Sequence, residues 1–338
     1  MDLNLLWFVL LGVLLAGYAI LDGFDLGVGI LYPAARNERE RRLMLNSIGP
    51  IWDGNEVWLV TFGGAMFAAF PNAYATVFSG FYVAFMILLF ALIFRAVSIE
   101  FRSKRDSLLW RGFWDCSFFG ASTLATFLFG VAAGNALLGI PINAGGVFTG
   151  SFFDLVRPYP VLIGLLTVFF AVMHGAIYLY LKTEGELQQV VHRWMWRGFG
   201  LTLVVYMLAT IYTLAVVPKA VRNFNEHSWS WIVVTLTVLA FANIPRAIFL
   251  GRPFYAFLSS SLTIMALVFL FSFTLYPNLV VSSISPEYSL TIFNAASSEK
   301  TLRIMAIIAL IGMPFVLAYT AVIYWAFRGK VKISEHSY

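Results

Sequence analysis

This chain is poor in the groups from which most soluble enzymes build their sites. Its 338 residues include a single cysteine, Cys116, and only four histidines. One cysteine excludes an internal disulfide and leaves no thiolate cluster for a metal within the chain. Charged residues make up 12% of the sequence, about half the share of a soluble domain. There is no phosphate-binding loop of the Walker type, no Gly-x-Ser-x-Gly elbow and no histidine pair at metal-ligand spacing. Gly27-Val28-Gly29 is too short for a dinucleotide fingerprint.

Scarce histidine also bears on haem. His192, His227 and His336 fall in expected loops or the tail, and only His174 lies in an apolar segment. A haem iron needs an axial ligand such as His, Met or Cys. One embedded histidine supports one haem at most, and such a residue is more often a hydrogen-bonded part of a core. Met173, Met195 and Met207 read as packing residues. The expectation is a chain that binds no metal and no haem of its own.

What is abundant is apolar sequence. Hydrophobic residues make up 60% of the chain, and mean hydropathy is +0.83. The chain is therefore expected to be an all-α, polytopic membrane protein with no soluble domain. Nine candidate spans run over approximately 5–31, 52–70, 74–100, 112–139, 160–181, 197–217, 229–250, 255–277 and 302–327. Most reach the roughly 20 apolar residues that a bilayer requires. The second is short and rich in glycine. The N-terminal segment has Asp2, no basic flank and no Ala-x-Ala site, so it is read as a retained first span. The 10 Trp and 15 Tyr residues read mainly as interface belts and packing.

The basic residues set the expected orientation. With the N-terminus outside, segments 36–42, 102–111, 182–197, 246–252 and 328–332 face the cytoplasm. They carry sixteen of the 22 Lys and Arg residues. Arg157, Lys219, Arg222, Lys300 and Arg303 lie outside, and Arg95 lies within a span. The positive-inside rule is met, and an odd span count leaves the C-terminus cytoplasmic. The isoelectric point near 9.3 thus reflects membrane-flanking loops and does not point to nucleic acid. Asn37–Arg42 alternates in charge and is read as a solvated loop, with a short interfacial helix as the alternative. The outer stretches are about 140–159, a Gly/Pro-containing loop, and 278–301, a Ser-rich segment suited to the membrane surface.

The chemistry is expected in two acidic clusters. Leu21-Asp-Gly-Phe-Asp-Leu-Gly27 places Asp22 and Asp25 three residues apart, on one face of the first span. An acid at a helix centre costs roughly 2.5–3.5 kcal/mol on insertion scales. Acids in such places usually mark an ion path, a proton relay or a paired charge. Trp52-Asp-Gly-Asn-Glu-Val-Trp58 opens the second span with Asp53 and Glu56. Asp25 lies six residues before Leu31, or about 9 Å along a helix, so both clusters fall at similar depth. Arg95, Glu100, Asp115 and His174 belong to the same leaflet, with Glu100 and Asp115 read as interfacial anchors. A hydrated funnel from the cytoplasm would collect ionisable groups in this way. Burial and a nearby cation act oppositely on a carboxyl group, which permits reversible protonation. The alternative is static: Asp22, Asp53 or Glu56 pairs with Arg95, or Asp53 caps the second helix. Gly23 and Gly27 form a small-xxx-small pair for close helix approach, and Gly63 and Gly64 suit the same purpose. Trp52 and Trp58 mark a place where an apolar groove could take a quinone or a lipid tail, although packing alone accounts for them.

At these residues the chain resembles subunit II of the cytochrome bd quinol oxidases. The resemblance rests on Leu21-Asp-Gly-Phe-Asp-Leu-Gly-Val-Gly29, Arg41-Arg-Leu-Met-Leu-Asn-Ser-Ile-Gly-Pro50 and Trp52-Asp-Gly-Asn-Glu-Val-Trp58. Phe78-Ser-Gly-Phe-Tyr82, Phe101-Arg-Ser-Lys104 and Phe257-Leu-Ser-Ser-Ser-Leu-Thr263 add to it. The likeness runs from end to end. It implies two four-helix bundles plus one additional helix, and a haem-free partner of a subunit I that carries haem b and haem d. It implies a complex in a bacterial cytoplasmic membrane that oxidises a membrane quinol and reduces oxygen to water with protons from the cytoplasm. By motif, Asp25 and Asp53 would belong to a proton path, and Arg95 lies where the family often has an arginine near it. His174 stands where some relatives have a non-titrating residue. A small single-span subunit and membrane lipids are further expected partners. Two other classes stay open on the residues alone: a secondary cation–proton transporter and a structural scaffold. Against the transporter, the sequence shows no obvious inverted repeat and no paired broken helices.

Overall fold

The computed structural model describes residues 2–217 and 220–333. Lys219 and His336 lie outside the described residues. The chain is built from helices α1 (Leu3–Leu31), α2 (Glu38–Ile48), α3 (Trp52–Ala69), α4 (Pro71–Gly80), α5 (Tyr82–Phe101) and α6 (Leu108–Leu138). They are followed by α7 (Pro158–Lys182), α8 (Gly185–Val216), α9 (Arg222–Glu226), α10 (Trp231–Phe249), α11 (Pro253–Leu275) and α12 (Glu299–Ala326). Among the described residues, eight helical segments are long and apolar enough to cross a membrane. The 18-residue α3 is not one of them. Asp53, Asn55 and Glu56 crowd its first turns and lower its hydropathy.

The observed helices differ from the expected spans in places with identifiable causes. The stretch 74–100 is divided between α4 and α5, with Phe81 at ψ 18° between them. At that joint Phe148 of the outer loop packs against Gly80, and a Cβ there would stand 3.1 Å from Phe148. The α8 helix starts about twelve residues before the expected position 197 and carries His192 within it, where a loop was expected. Asn37–Arg42 is not a loop. Asn37 caps α2 by accepting from Glu40 N at 2.9 Å, and the helix buries Met44, Leu45 and Ile48. Asp53 is not a cap either: α3 is preceded by Ile51, with no side-chain cap.

Helix α1 is the centre of the fold and packs against α3, α6, α7 and α11. Its approach to α7 is backbone to backbone. A Cβ on Gly27 would lie 1.9 Å from the carbonyl oxygen of Ala171, and one on Gly175 would lie 2.6 Å from Gly27 C. Small residues let helices meet closely where lipid supplies no hydrophobic drive. Gly23 has only ordinary contact, and nothing lies within 4 Å of Gly63 or Gly64. The packing role expected of those three is therefore not exercised within this chain.

Among the described residues two large apolar cores stand out beside two smaller clusters. One surrounds Phe24, Val28, Tyr32, Met173, Ile177 and Tyr178. It lies at the end of the bundle that carries the arginine-rich loops. The other surrounds Trp7, Leu11, Phe70, Phe81, Ile140 and Ile292 at the opposite end. There the two long connections fold together. Strand β1 (Asn278–Val280) pairs antiparallel with β2 (Leu290–Thr291). Ile140 exchanges main-chain bonds with Val281 (3.0 Å) and Ser283 (2.9 Å). The 278–301 segment thus joins a packed cap, with Val280, Val281, Ile292 and Ala295 buried.

Candidate functional site: a buried acid cluster

Four of the expected site residues converge near the basic end of α1. Asp22 and Asp25 both point inward and are at most 1% exposed. Arg95 reaches from α5 and is fully buried. Its Nη1 donates to Asp22 Oδ1 at 2.7 Å and its Nη2 to Glu56 Oε2 at 3.3 Å. Glu56, on α3, keeps 22% of its side chain accessible. One guanidinium therefore bridges acids from two helices. The third acid, Asp25, is held by Asn55, which donates from Nδ2 to Asp25 Oδ2 at 2.7 Å and to the Leu21 carbonyl at 3.3 Å. Asn55 Oδ1 accepts from the Tyr324 hydroxyl of α12 at 2.8 Å.

Several polar atoms in this cluster are buried with no protein partner: Asp22 Oδ2, Asp25 Oδ1, Arg95 Nε and the Tyr18 hydroxyl. Tyr18 precedes Asp22 by one helical turn on α1, so residues 18, 22 and 25 form one stripe. Buried polar groups without protein partners are the usual seats of ordered water.

The other expected residues are elsewhere. Asp53 lies on the exposed face of α3 and is not part of the buried set. Trp52 packs on the core around Phe24. The Trp58 ring lies over α1, occupying the space that a Cβ on Gly17 would need. Trp58 also lines an apolar groove of about 360 Å³ between α3 and α12, together with Leu14, Val57, Val316, Tyr319 and Tyr324. Trp52 is not in that lining.

Sequence reasoning missed Asn55, Tyr18 and Tyr324. Asn55 had a signal, because an amide in an expected membrane span seeks a polar partner. Tyr18 was legible as the residue one turn from Asp22. Tyr324 had none, since 269 residues separate it from Asn55.

Asp115 belongs to a second ionic group at the loop boundary. Arg102, 2% exposed, donates to both oxygens of Glu38 (2.9 and 2.8 Å) and, from Nε, to Asp115 at 2.5 Å. Arg41 adds a 3.3 Å bond to Asp115. This ties α2 to α5 and α6. The hydrogen bonds from Arg102 hold the Glu38 carboxyl below its usual range.

His174 does not fit a haem. Its Nδ1 lies 2.8 Å from Ser260 Oγ and its Nε2 lies 3.1 Å from the Ile20 carbonyl oxygen. The ring stacks on Phe257 at 5.0 Å. Both nitrogens are engaged and the histidine is part of the core. No cluster of three or more His, Cys, Asp or Glu side chains suited to a metal occurs among the described residues.

Helical architecture, full apolar spans and acids gathered at one end define a multi-pass membrane protein with an internal ionisable site. Residues 3–327 match the family of cytochrome bd terminal oxidase subunit II, and the chain belongs to that family. It is similar to cytochrome bd-I ubiquinol oxidase subunit 2 of Escherichia coli K12, at 37% identity over 97% of this chain and 95% of the relative. It is also similar to cytochrome bd ubiquinol oxidase subunit 2 of Bacillus subtilis 168, at 35% identity over 99% and 98%. The solved bd oxidase of Geobacillus thermodenitrificans shares the fold, with a TM-score of 0.80 at 18% identity over 97% of this chain and 99% of that one. The protein is thus subunit II of a bd-type quinol oxidase, a component of an oxidoreductase complex with a subunit I partner and haem. It is a multi-pass protein of the bacterial inner membrane.

Proposed function

We propose that this chain supplies protons from the cytoplasmic side to the oxygen-reducing site of the complex. It contributes no catalytic group of its own, and haem b and haem d reside in subunit I. The observation that carries the reading is the composition of the buried cluster. The cluster holds three acids but one cation: Arg95 bonds Asp22 and Glu56, and Asp25 has only the Asn55 amide. A buried carboxylate that lacks a cation or a proton is strongly unfavourable, so the set is suited to hold exchangeable protons. The unpartnered oxygens of Asp22 and Asp25 beside Arg95 Nε and the Tyr18 hydroxyl offer seats for water that would link them. Partly accessible Glu56 is the entry to the buried pair, and exposed Asp53 extends the acidic surface toward a partner.

This reading places the N-terminus outside, the C-terminus in the cytoplasm and α3 as a ninth crossing. The Arg102 group at the same end supports the orientation, because it belongs with the basic loops. Membrane lipid and a small single-span subunit are proposed to cover exposed helix faces. The groove at Trp58 suits the tail of a quinone or a lipid, without Trp52. Family membership sets aside the transporter alternative. The static scaffold keeps one specific support, the Arg95–Asp22 ion pair.

The test is Asp25→Asn in the whole oxidase. Slower oxygen consumption with haem content near normal supports the path. Unchanged turnover in a fully assembled complex supports the scaffold instead.

A further inference from the structure

The basic end of α12 is fastened by two lysines that exchange roles. Lys182, the last residue of α7, donates from Nζ to the carbonyl oxygens of Phe327 and Gly329, just beyond α12. Lys330 donates from Nζ to Thr183 O at 2.8 Å and Tyr180 O at 3.4 Å, at the end of α7. Between them, Val331 N donates to Lys182 O at 2.8 Å. The last carbonyls of a helix lack intrahelical partners, and a cation suits that end of the helix dipole. Lys330 thus caps α7, and Lys182 holds the turn that follows α12.

Helix α12 depends on such fastening. None of its most apolar 18-residue stretch is buried, and its one buried residue, Leu302, lies near the other end. There the Leu302 carbonyl accepts from Trp7 Nε1 at 3.0 Å. The helix is held at its two ends and loosely in between. Tyr324 is six residues before Lys330, and its hydroxyl donates to Asn55 Oδ1 at 2.8 Å. Asn55 is thus held from both sides, its Nδ2 by Asp25 and the Leu21 carbonyl and its Oδ1 by Tyr324. Without the Tyr324 bond the buried amide oxygen loses its partner and Asn55 is held from one side only, which loosens its grip on Asp25. A displacement of one residue along a helix is 1.5 Å and 100°, enough to remove the hydroxyl from Asn55.

We infer that Lys182 and Lys330 are positioning residues for the buried acids: their mutual clasp sets the height and rotation of α12, which keeps Tyr324 on Asn55 and Asn55 on Asp25. The inference rests on the proton-path reading of Asp25.

The test uses the assembled oxidase carrying Lys330→Met, Lys330→Arg, Tyr324→Phe, the Lys330→Met/Tyr324→Phe double variant or Asp25→Asn. Haem content, kcat and KM for quinol are measured for each. Lys330→Met and Tyr324→Phe should each lower kcat by about tenfold, with haem content and KM unchanged. The double variant should be no slower than Tyr324→Phe, and Lys330→Arg should restore turnover because it keeps donors at the carbonyls. Wild-type turnover of Lys330→Met beside a slowed Asp25→Asn overturns the clasp alone. A double variant whose loss is the product of the single losses also overturns it, as does haem loss in step with turnover, which would mark a purely structural tie. Unchanged turnover of Asp25→Asn overturns the path reading and the clasp together.

Discussion

Asn55 donates a 2.7 Å hydrogen bond to Asp25 from a helix thirty positions further along the chain, and both side chains are almost fully enclosed. Asp25 is thereby distinguished from Asp22, one turn earlier, which is paired with Arg95. Two acids on one helix face have different partners: an amide for one and a guanidinium for the other. Asp25 is the member with no cation at hydrogen-bond distance.

Asn55→Leu should separate the amide's role from packing. It removes the donor to Asp25 Oδ2 and the acceptor for Tyr324 while keeping similar volume. A hydrogen bond to a charged group is worth about 1.5–3 kcal/mol, so turnover should fall by roughly ten- to a hundredfold. Oxygen consumption per haem in the purified complex reads the effect, and Asn55→Gln should lose less.

Removing Arg95 should act on folding first. Arg95→Met leaves Asp22 and Glu56 without their shared cation, and breaking a buried pair from one side costs about 3–5 kcal/mol. The expected outcome is a low yield of assembled complex and a lower temperature of haem loss. Adding Asp22→Asn to Arg95→Met should recover part of the yield, since the uncompensated buried charge is then gone.

The contact between α1 and α7 predicts a sharp size limit at Gly27. A Cβ there meets the Ala171 carbonyl at 1.9 Å, and neither backbone can yield without separating the helices. Gly27→Leu should abolish assembly, scored by haem content of the membrane fraction. Gly23→Ala, whose Cβ would stand 4.0 Å from His174 Cδ2, should assemble normally.

Glu38 predicts a pH dependence outside the membrane. Hydrogen bonds from Arg102 come first in holding its carboxyl below the usual range, with Arg111 and Arg41 adding to them. A group whose folded-state pKa is depressed contributes stability that is complete above the unfolded value, near 4.3. That contribution is lost as pH falls through the folded value. The melting temperature of the complex should therefore exceed that of Glu38→Gln by a constant margin above about pH 5. The margin should shrink below about pH 4. Because Glu38 is 43% accessible, the difference should be modest, about 1 kcal/mol or less.

How much of this was legible depended on how local the cause was. The α2 helix was readable from Asn37, three residues before Glu40, and from the alternating charge, yet a solvated loop was the simpler expectation. Burial of Met44, Leu45 and Ile48 against the bundle decided for a helix. The break at Phe81 was not readable, because it arises where Phe148 of a distant loop meets Gly80. Asp53 and Asp25 looked alike as embedded acids, but the rotation of α3 points Asp53 outward and Asn55 inward.

By itself the sequence determined an all-α membrane chain, the run of apolar spans, the acids gathered near one end and the family to which it belongs. Those properties follow from the free energy of transferring side chains to lipid and from short motifs, and each is written in consecutive residues. Only the tertiary structure decided which acid meets Arg95, which meets Asn55, and that Tyr324 meets Asn55 from the other side. Hydrogen bonds act over about 3 Å, and whether residues 25, 55 and 324 come within that distance depends on how three helices pack and rotate.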